Sequence, residues 1–212
     1  MQYQIIDLAS WNRQEHYNFY RQIQCNFSLT TEIDVTNVVA FYKHYHYKFY
    51  PVMIYLITQA VNQVPALKMA LKNEQLIEWE TVLPSYTIFH PESETFSSLW
   101  TEYHSDLTEF MRAYEEDFAE YQYNLALSPK PNLPENHFNI SSLPWMSFSG
   151  FNLGFSEVND HFAPIFTMEK FSEKDGKLLL PLAIQVHHAV CDGFHIGRFI
   201  DLLHECIDEL IY

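Results

Sequence analysis

Apolar and polar residues alternate most regularly near the C-terminus, over residues 178–187. Counting in twos places Leu180, Leu182, Ile184, Val186 and His188 on one face of this segment. The pattern predicts a strand that runs into the histidine pair His187 and His188, followed by a turn at Asp192 and Gly193. His188 is predicted to continue the buried apolar row. Because burial disfavours the imidazolium cation, such a histidine is neutral near pH 7 and can accept a proton.

Helical spacing of apolar residues appears in four places. It predicts helices over residues 11–22, with Asp7 or Ser10 as the cap, after Pro51, over residues 96–123, and from about Phe194 to the end. Further strands are predicted over residues 26–34, 76–80, 86–90, 147–155 and 165–171, and residues 128–137 predict a surface loop.

Strands and helices interleave without a strict strand-helix-strand rhythm. The order favours an α+β fold, a two-layer sandwich in which helices cover a mixed β-sheet. The length of 212 residues suits one domain over 1–212.

Composition narrows the classes of partner. A formal net charge of -15 disfavours binding to nucleic acid and to anionic membrane surfaces. The three cysteines form no disulfide framework, the first residues lack the pattern of a secretory signal, and no run of 18 apolar residues occurs. We therefore expect a cytoplasmic protein. Aromatic residues make up 17% of the chain, more than a core needs, so some are expected in a pocket or a subunit interface.

The C-terminal motif admits two rival chemistries. His188, Cys191 and His195 have spacings that suit zinc, but no Cys-x-x-Cys or His-Glu-x-x-His element accompanies them, so no metal is expected. Cys191 is a second candidate, as a thiolate nucleophile, although the role of a small core thiol suits it better. A histidine-rich metal binder that uses His44 and His46 is a further alternative.

The motif His-His-Ala-Val-Cys-Asp-Gly at residues 187–193 resembles the signature of the chloramphenicol acetyltransferases. The motif alone is shared with condensation domains, plant acyltransferases and the acyltransferase cores of 2-oxoacid dehydrogenases. Flanking blocks narrow the resemblance to one enzyme, since they follow the family in order and spacing at residues 19–21, 25–30, 48–56, 95–97, 134–137, 139–145 and 162–168.

The resemblance implies transfer of an acetyl group from acetyl-CoA to the primary hydroxyl of chloramphenicol, through a ternary complex and without an acyl-enzyme. It implies that His188 is the general base, that Ser141 donates a hydrogen bond to the oxyanion, and that Thr167 supports the same intermediate through a water. Asp192 is implied to pair with Arg13 and to organise the site. A homotrimer with sites between subunits is also implied by the resemblance.

The family pattern also assigns binding residues. For the acceptor it indicates an aromatic and aliphatic pocket made of Tyr20, Cys25, Phe27, Phe96, Phe151 and Leu153. For CoA it indicates Lys48, Tyr50, Trp145 and Lys170, two cations for phosphates and two aromatic rings.

Two alternatives remain at this level. A related acyltransferase would use the same base on another small alcohol or on a dihydrolipoyl thiol, and a binding module would keep the fold without turnover. Neither a lipoyl domain nor a peripheral-subunit linker is attached to the sequence, which counts against the thiol acceptor.

Overall fold

The computed structural model describes residues 1–146, 148–154 and 160–210. The helices of this part are α1 (Gln14–Gln22), α2 (Thr36–Tyr45), α3 (Phe49–Asn62), α4 (Leu107–Tyr121) and α5 (Gly193–Asp208), with a short 3-10 turn at Pro65–Leu67. The strands are β1 (Tyr3–Ile5), β2 (Asn26–Asp34), β3 (Met69–Lys72), β4 (Gln75–Trp79), β5 (Leu83–His90), β6 (Thr95–Trp100), β7 (His137–Leu143), β8 (Ile165–Glu169), β9 (Ser172–Lys174) and β10 (Lys177–His187).

A mixed sheet forms one layer of the fold. Its order is β2-β10-β8-β7-β5-β6, and β9 pairs with one end of β10. The pairs β5–β7 and β7–β8 are parallel, whereas β2–β10, β10–β8 and β5–β6 are antiparallel. A second, three-stranded sheet has the order β1-β4-β3. The mixed sheet agrees with the α+β prediction.

Helices form the other layer. α2, α3 and α4 contact β10, β5 and β6 respectively, and α3 also packs against α5. α3 is apolar around most of its circumference, and every residue from Pro51 to Thr58 is buried. A helix with this composition belongs in the middle of a core, because it has no polar face for solvent. The buried apolar side chains form a continuous cluster that joins α3 to both β10 and α5.

β10 is the longest strand of the described residues, and the candidate base His188 directly follows its last residue. Its nine residues from Leu179 to His187 pair with β2, and residues 182–185 also pair with β8 on the other side. Both faces of its C-terminal half are buried. The strand over residues 26–34 is confirmed as β2, and those over residues 76–80, 86–90, 165–171 and 178–187 are confirmed with shifts at their ends.

Several sequence predictions of local structure were wrong. Residues 95–100 form β6, so the helix predicted over 96–123 begins only at Leu107, after the cap Asp106. The adjacent residues Ser97 and Ser98 lie in this strand, opposite Ile88 and Thr87 of β5. The surface loop predicted over residues 128–137 is confirmed for residues 128–136, whereas residue 137 already belongs to β7.

A strand was predicted over residues 147–155. Its described part, residues 148–154, forms neither helix nor strand, and residues 147 and 155 lie outside the described residues.

The first helix begins at Gln14 rather than at residue 11, and its cap position is Arg13. Asp7 and Ser10 do not cap it, because the Asp7 carboxylate accepts hydrogen bonds from the Ala9 N–H and the Ser10 hydroxyl in the turn before it. The sequence patterns did not predict α2, β1, β3, β7 or β9.

Candidate active site

His188 lies one residue beyond the end of β10, in the turn that leads to α5. The predicted continuation of the buried row therefore stops at Val186, and the His188 side chain is only half-buried. Its backbone N–H donates to the Cys25 carbonyl at 2.8 Å, which ties the turn to the start of β2. The imidazole of His188 is thus partly accessible, while its backbone is held by β10 on one side and by the hydrogen bond to Cys25 on the other.

The hydrogen bond of His188 Nδ1 determines which ring nitrogen can accept a proton. His188 Nδ1 lies 3.0 Å from the Cys191 carbonyl oxygen. Since a carbonyl oxygen only accepts, Nδ1 of the neutral ring carries the proton, and Nε2 keeps a free lone pair. The imidazole is also stacked on the Tyr20 ring, with 3.9 Å between centroids, and meets the Phe27 ring edge-on at 5.1 Å. These contacts orient Nε2 as a proton acceptor.

His187 has a different environment. Its side chain is 1% exposed, and its Nδ1 accepts a hydrogen bond from the Ala189 N–H at 3.1 Å. Burial lowers the pKa of His187, and the proximity of His188 and Arg21 acts in the same direction, although Asp160 opposes it. His187 therefore stays neutral and shapes the turn that carries His188.

Asp192 connects the turn to α5 and to α1. One carboxylate oxygen accepts the Phe194 N–H at 3.0 Å and caps α5, and the other accepts from Arg13 Nη1 at 2.5 Å. Burial alone would raise the pKa of Asp192, but the hydrogen bond from Arg13, the nearby His195 and the Phe194 N–H outweigh it, so the pKa is lowered. The pairing of Arg13 with Asp192 agrees with the role that the resemblance implies.

The geometry does not favour the rival chemistries at this turn. Cys191 is buried, and burial raises the pKa of its thiol to about 12, so the thiolate is disfavoured near pH 7. The His195 Nδ1 accepts the Asp192 N–H at 3.1 Å as part of a capping box, and His188 Nδ1 faces a carbonyl. Within residues 1–146, 148–154 and 160–210, no group of three or more His, Cys, Asp or Glu side chains is arranged to hold a metal ion.

Ser141 and Thr167 lie side by side in the middle of the sheet. They are paired in the parallel register of β7 and β8, and their hydroxyl oxygens are 3.0 Å apart. Thr167 is buried, whereas Ser141 is half-buried and lines a cavity. If Thr167 donates to Ser141, the Ser141 hydroxyl hydrogen is free to point into that cavity. The two hydroxyls are bonded directly to each other, and the support of the intermediate by Thr167 through a water stays a prediction.

A cavity of about 860 Å³ opens beside Ser141. Ligand pockets typically have volumes of about 300–1,000 Å³, so the space is sufficient for an organic substrate. The predicted site residues among its lining are Lys48, Tyr50, Phe96, Ser141, Trp145, Phe151, Leu153 and Lys170.

The four residues predicted for CoA are all in this lining. Lys48 and Lys170 are exposed, and Lys48 Nζ lies 4.9 Å from the centre of the Phe118 ring. The Tyr50 hydroxyl donates to the Ile140 carbonyl at 3.4 Å, and burial raises its pKa. Trp145 is 59% exposed and packs edge-on against the Phe89 ring at 4.5 Å. In a chain with a charge of -15, two cations at one cavity supply the local basic site that an anionic ligand needs.

Residues predicted for the acceptor divide between two places. Phe96, Phe151 and Leu153 line the cavity, whereas Tyr20, Cys25 and Phe27 surround His188. Two polar residues that the sequence patterns did not single out hold the segment with Phe151 and Leu153. Glu169 accepts a hydrogen bond from the Phe148 N–H at 2.7 Å, and Gln185 bonds to the backbone of Leu153. The available signal was a polar residue inside an apolar strand pattern.

The two sets of site residues are far apart in one copy of the chain. Thr167 lies opposite Ala183 of β10, and His188 is five positions further along the chain than Ala183. A strand advances about 3.3 Å per residue, so His188 is roughly 16 Å along the sheet from Thr167 and Ser141. A base and an oxyanion donor must each be within about 3 Å of atoms of one reacting group. A single copy therefore does not bring the two sets together.

Comparison with known proteins identifies the family. A family model described as chloramphenicol acetyltransferase matches residues 1–204. The chain belongs to the chloramphenicol acetyltransferase family. Chloramphenicol acetyltransferase 2 of Haemophilus influenzae is 53% identical over 212 residues, which are 100% of both proteins. Chloramphenicol acetyltransferase 3 of Escherichia coli is 50% identical over 206 residues, which are 97% of each.

Solved structures agree with the fold of this family. A chloramphenicol acetyltransferase of 21% sequence identity gives a TM-score of 0.86 over 97% of this chain and 100% of that one. A probable dihydrolipoamide acetyltransferase of Listeria monocytogenes, 16% identical, gives a TM-score of 0.62 over 92% and 89% of the two chains. The resemblance, the α+β fold and the enzyme class predicted from sequence are confirmed: this member of the chloramphenicol acetyltransferase family is an acyltransferase.

Proposed function

We propose that the protein transfers the acetyl group of acetyl-CoA to the primary hydroxyl of chloramphenicol and so confers resistance to this antibiotic. The observation that carries the proposal is His188, whose Nδ1 is bonded to the Cys191 carbonyl and whose Nε2 is free to act as a base. Relatives named chloramphenicol acetyltransferase, 50–53% identical over nearly all of the chain, supply the substrate class.

In the proposed reaction both substrates are bound before chemistry begins. His188 Nε2 removes the proton from the acceptor hydroxyl as the hydroxyl oxygen attacks the thioester carbon. The tetrahedral oxyanion accepts a hydrogen bond from Ser141, whose hydroxyl is oriented by Thr167. Collapse of the intermediate releases acetylated chloramphenicol and the CoA thiolate, which takes the proton from the His188 imidazolium. No acyl-enzyme is formed.

Acetyl-CoA is proposed to occupy the part of the cavity near Lys48, Tyr50, Trp145 and Lys170. The two lysines supply positive charge for phosphate groups, and Trp145 offers an exposed ring for stacking. Phe96, Phe151 and Leu153 form an apolar wall suited to the nitrophenyl ring and the dichloroacetyl group of the acceptor.

A homotrimer with active sites between subunits is part of the proposal. The separation of His188 from Ser141 supports it, because a neighbouring copy would bring Tyr20, Cys25, Phe27 and His188 to the mouth of the cavity. Exposed apolar side chains at α1, whose Tyr20 stacks on His188, and at α5 also support it: Phe19, Ile23 and Phe194 are all more than half exposed.

We further propose that residues 1–212 act as a single acyltransferase domain in the cytoplasm. The family match over residues 1–204 supports one domain, and the three free cysteines suit a reducing compartment. No helix in the described part of the chain is long and apolar enough to cross a membrane.

Thiol release tests the proposed reaction. Purified protein is mixed with acetyl-CoA and chloramphenicol, and free CoA thiol is followed with a chromogenic disulfide. We expect release that requires the acceptor and is absent when an analogue without the primary hydroxyl replaces it. A simple primary alcohol serves as an alternative acceptor in this assay, and dihydrolipoamide, whose own thiols reduce the chromogenic disulfide, is tested by chromatographic detection of its acetylated product. The proposal would be wrong if chloramphenicol gave no release, or if one of the alternative acceptors were used more efficiently.

A further inference from the structure

The side-chain amide of Gln185 forms two hydrogen bonds with the backbone of Leu153. Its side-chain Oε1 accepts from the Leu153 N–H at 2.8 Å, and its Nε2 donates to the Leu153 carbonyl at 2.9 Å. A primary amide offers one acceptor and one donor side by side, like a peptide group. Gln185 therefore bonds to the backbone of Leu153 in the way that a residue of a neighbouring strand would. The described residues around Leu153, 148–154, form no strand themselves.

The anchor for this pair is rigid. Gln185 belongs to β10, where its backbone position pairs with Ser28 of β2 on one side and Ile165 of β8 on the other. The residue is only 9% exposed. Burying an amide is unfavourable unless its polar atoms find partners, and here the backbone of Leu153 supplies one for each end of the amide.

The held segment forms part of the cavity wall. Phe151 and Leu153 both line the cavity of about 860 Å³, and the ring of Phe151 packs against that of Phe148 with 5.4 Å between centroids. A second bond fixes the start of the segment, where the buried Glu169 carboxylate accepts the Phe148 N–H. The segment 148–154 is thus attached to the sheet near both ends, while the side chains of Phe151 and Leu153 line the cavity.

We infer that Gln185 is a positioning residue that sets the affinity for the acceptor, by fixing the Leu153 backbone against β10. This inference rests on the proposed function, because it assigns the wall formed by Phe151 and Leu153 to the acceptor. Among the described residues, the hydrogen bonds of the Gln185 side chain go to Leu153 and not to the hydroxyls of Ser141 and Thr167 or to the predicted CoA residues. Its removal should therefore weaken acceptor binding and leave acetyl-CoA binding and turnover nearly unchanged.

The test uses Gln185→Met, which keeps the length of the side chain and removes both hydrogen bonds. Gln59→Met is the matched control, since Gln59 also bonds through both ends of its amide, to Tyr103, Tyr55 and the Ser105 carbonyl, but lies outside the cavity lining. We expect Gln185→Met to raise KM for chloramphenicol about tenfold, with kcat and KM for acetyl-CoA within about twofold of wild type. Gln59→Met should leave both KM values unchanged.

A double-mutant cycle with Leu153→Ala tests the route of the effect. If Gln185 acts by placing the Leu153 side chain, Gln185→Met should raise the acceptor KM much less in the Leu153→Ala background. An unchanged acceptor KM in folded Gln185→Met would overturn the inference. A fall in kcat together with a rise in both KM values would overturn it as well.

Hydrogen exchange separates this inference from the proposed function. The Leu153 amide should exchange faster in Gln185→Met than in wild type and in Gln59→Met, whichever acceptor the enzyme uses. Equal protection of that amide in all three proteins would contradict the positioning role. Failure of wild-type protein to acetylate chloramphenicol, with faster exchange in the variant, would instead contradict only the acceptor assignment.

Discussion

At the scale of single residues, the adjacent histidines have opposite properties. His188 is half-buried with a free Nε2, whereas His187 is buried and uses its Nδ1 to accept the Ala189 N–H. One extra residue of chain, beyond the last paired position of β10, accounts for the difference. The proposed base is thus the residue just beyond the sheet, whereas the last residue of the sheet stabilises the turn.

We predict that His188→Ala lowers kcat by about 10²- to 10⁴-fold with little change in either KM, because a general base acts in the transition state. His187→Asn should stay within a few-fold of wild type, since its side-chain oxygen can replace Nδ1 as acceptor for the Ala189 N–H. Steady-state kinetics and thermal unfolding of both variants measure this. If His187→Asn were folded, bound both substrates and were as inactive as His188→Ala, the base would be misassigned.

At the scale of elements, the junction between β10 and α5 depends on Asp192. Its carboxylate both caps α5 and pairs with Arg13 at the start of α1, so one side chain connects two helices to the turn that carries His188. Two Arg13 nitrogens are buried without a partner in the described residues, so Asp192 supplies the principal neutralising contact for this guanidinium.

Asp192→Ala should destabilise the protein more than Asp192→Asn, by about 1 kcal/mol, because asparagine still caps a helix and alanine does not. The lowered pKa means that the Asp192 carboxylate stabilises the fold above its ordinary pKa near 3.8, and that this contribution disappears as the pH falls through the lower value in the folded state. The stability difference between wild type and Asp192→Asn should therefore be full at pH 7 and shrink below about pH 4.

Urea unfolding at pH 7 and at several values below pH 4 measures both effects. Asp175→Asn, on an exposed turn after β9, is the control and should change stability little at any pH. A gap between wild type and Asp192→Asn that stayed constant through the acid range would show that the charge of Asp192 does not stabilise the fold.

At the scale of the whole molecule, the arrangement of the sheet decides how the site is assembled. In the register of β10 against β8, Thr167 lies opposite Ala183, so the C-terminal end of β10, which His188 follows, lies away from the hydroxyl pair on β7 and β8. In the homotrimer that we propose, the two halves of the site belong to different copies of the chain.

Subunit mixing tests this arrangement. His188→Ala and Ser141→Ala should each be nearly inactive alone, but co-refolding equal amounts should restore about a quarter of wild-type activity. In a closed ring with random mixing, half of the subunits supply His188 and half supply Ser141, so about one interface in four contains both. Activity no higher than the mean of the two separate variants would contradict sites shared between subunits.

The sequence by itself determined the local chemistry. Alternation over residues 178–187 predicted β10, and the motif at residues 187–193 predicted the turn after it and indicated His188 as the candidate base. These features can be predicted because strand periodicity and turn residues depend on neighbours in sequence. The capping of α5 by Asp192 was not predicted. The resemblance also named the cavity residues Lys48, Trp145 and Lys170, although no local pattern distinguishes them from surface residues.

Only the tertiary structure decided the rest. Local spacing assigned residues 96–100 to a helix, whereas pairing with β5 makes them strand, since long-range hydrogen bonds override weak helical periodicity. The bond between Ser141 and Thr167, the ring of Tyr20 on His188 and the hold of Gln185 on Leu153 each join residues at least 26 positions apart. Such contacts depend on strand order and register, which the pattern of a single segment does not contain.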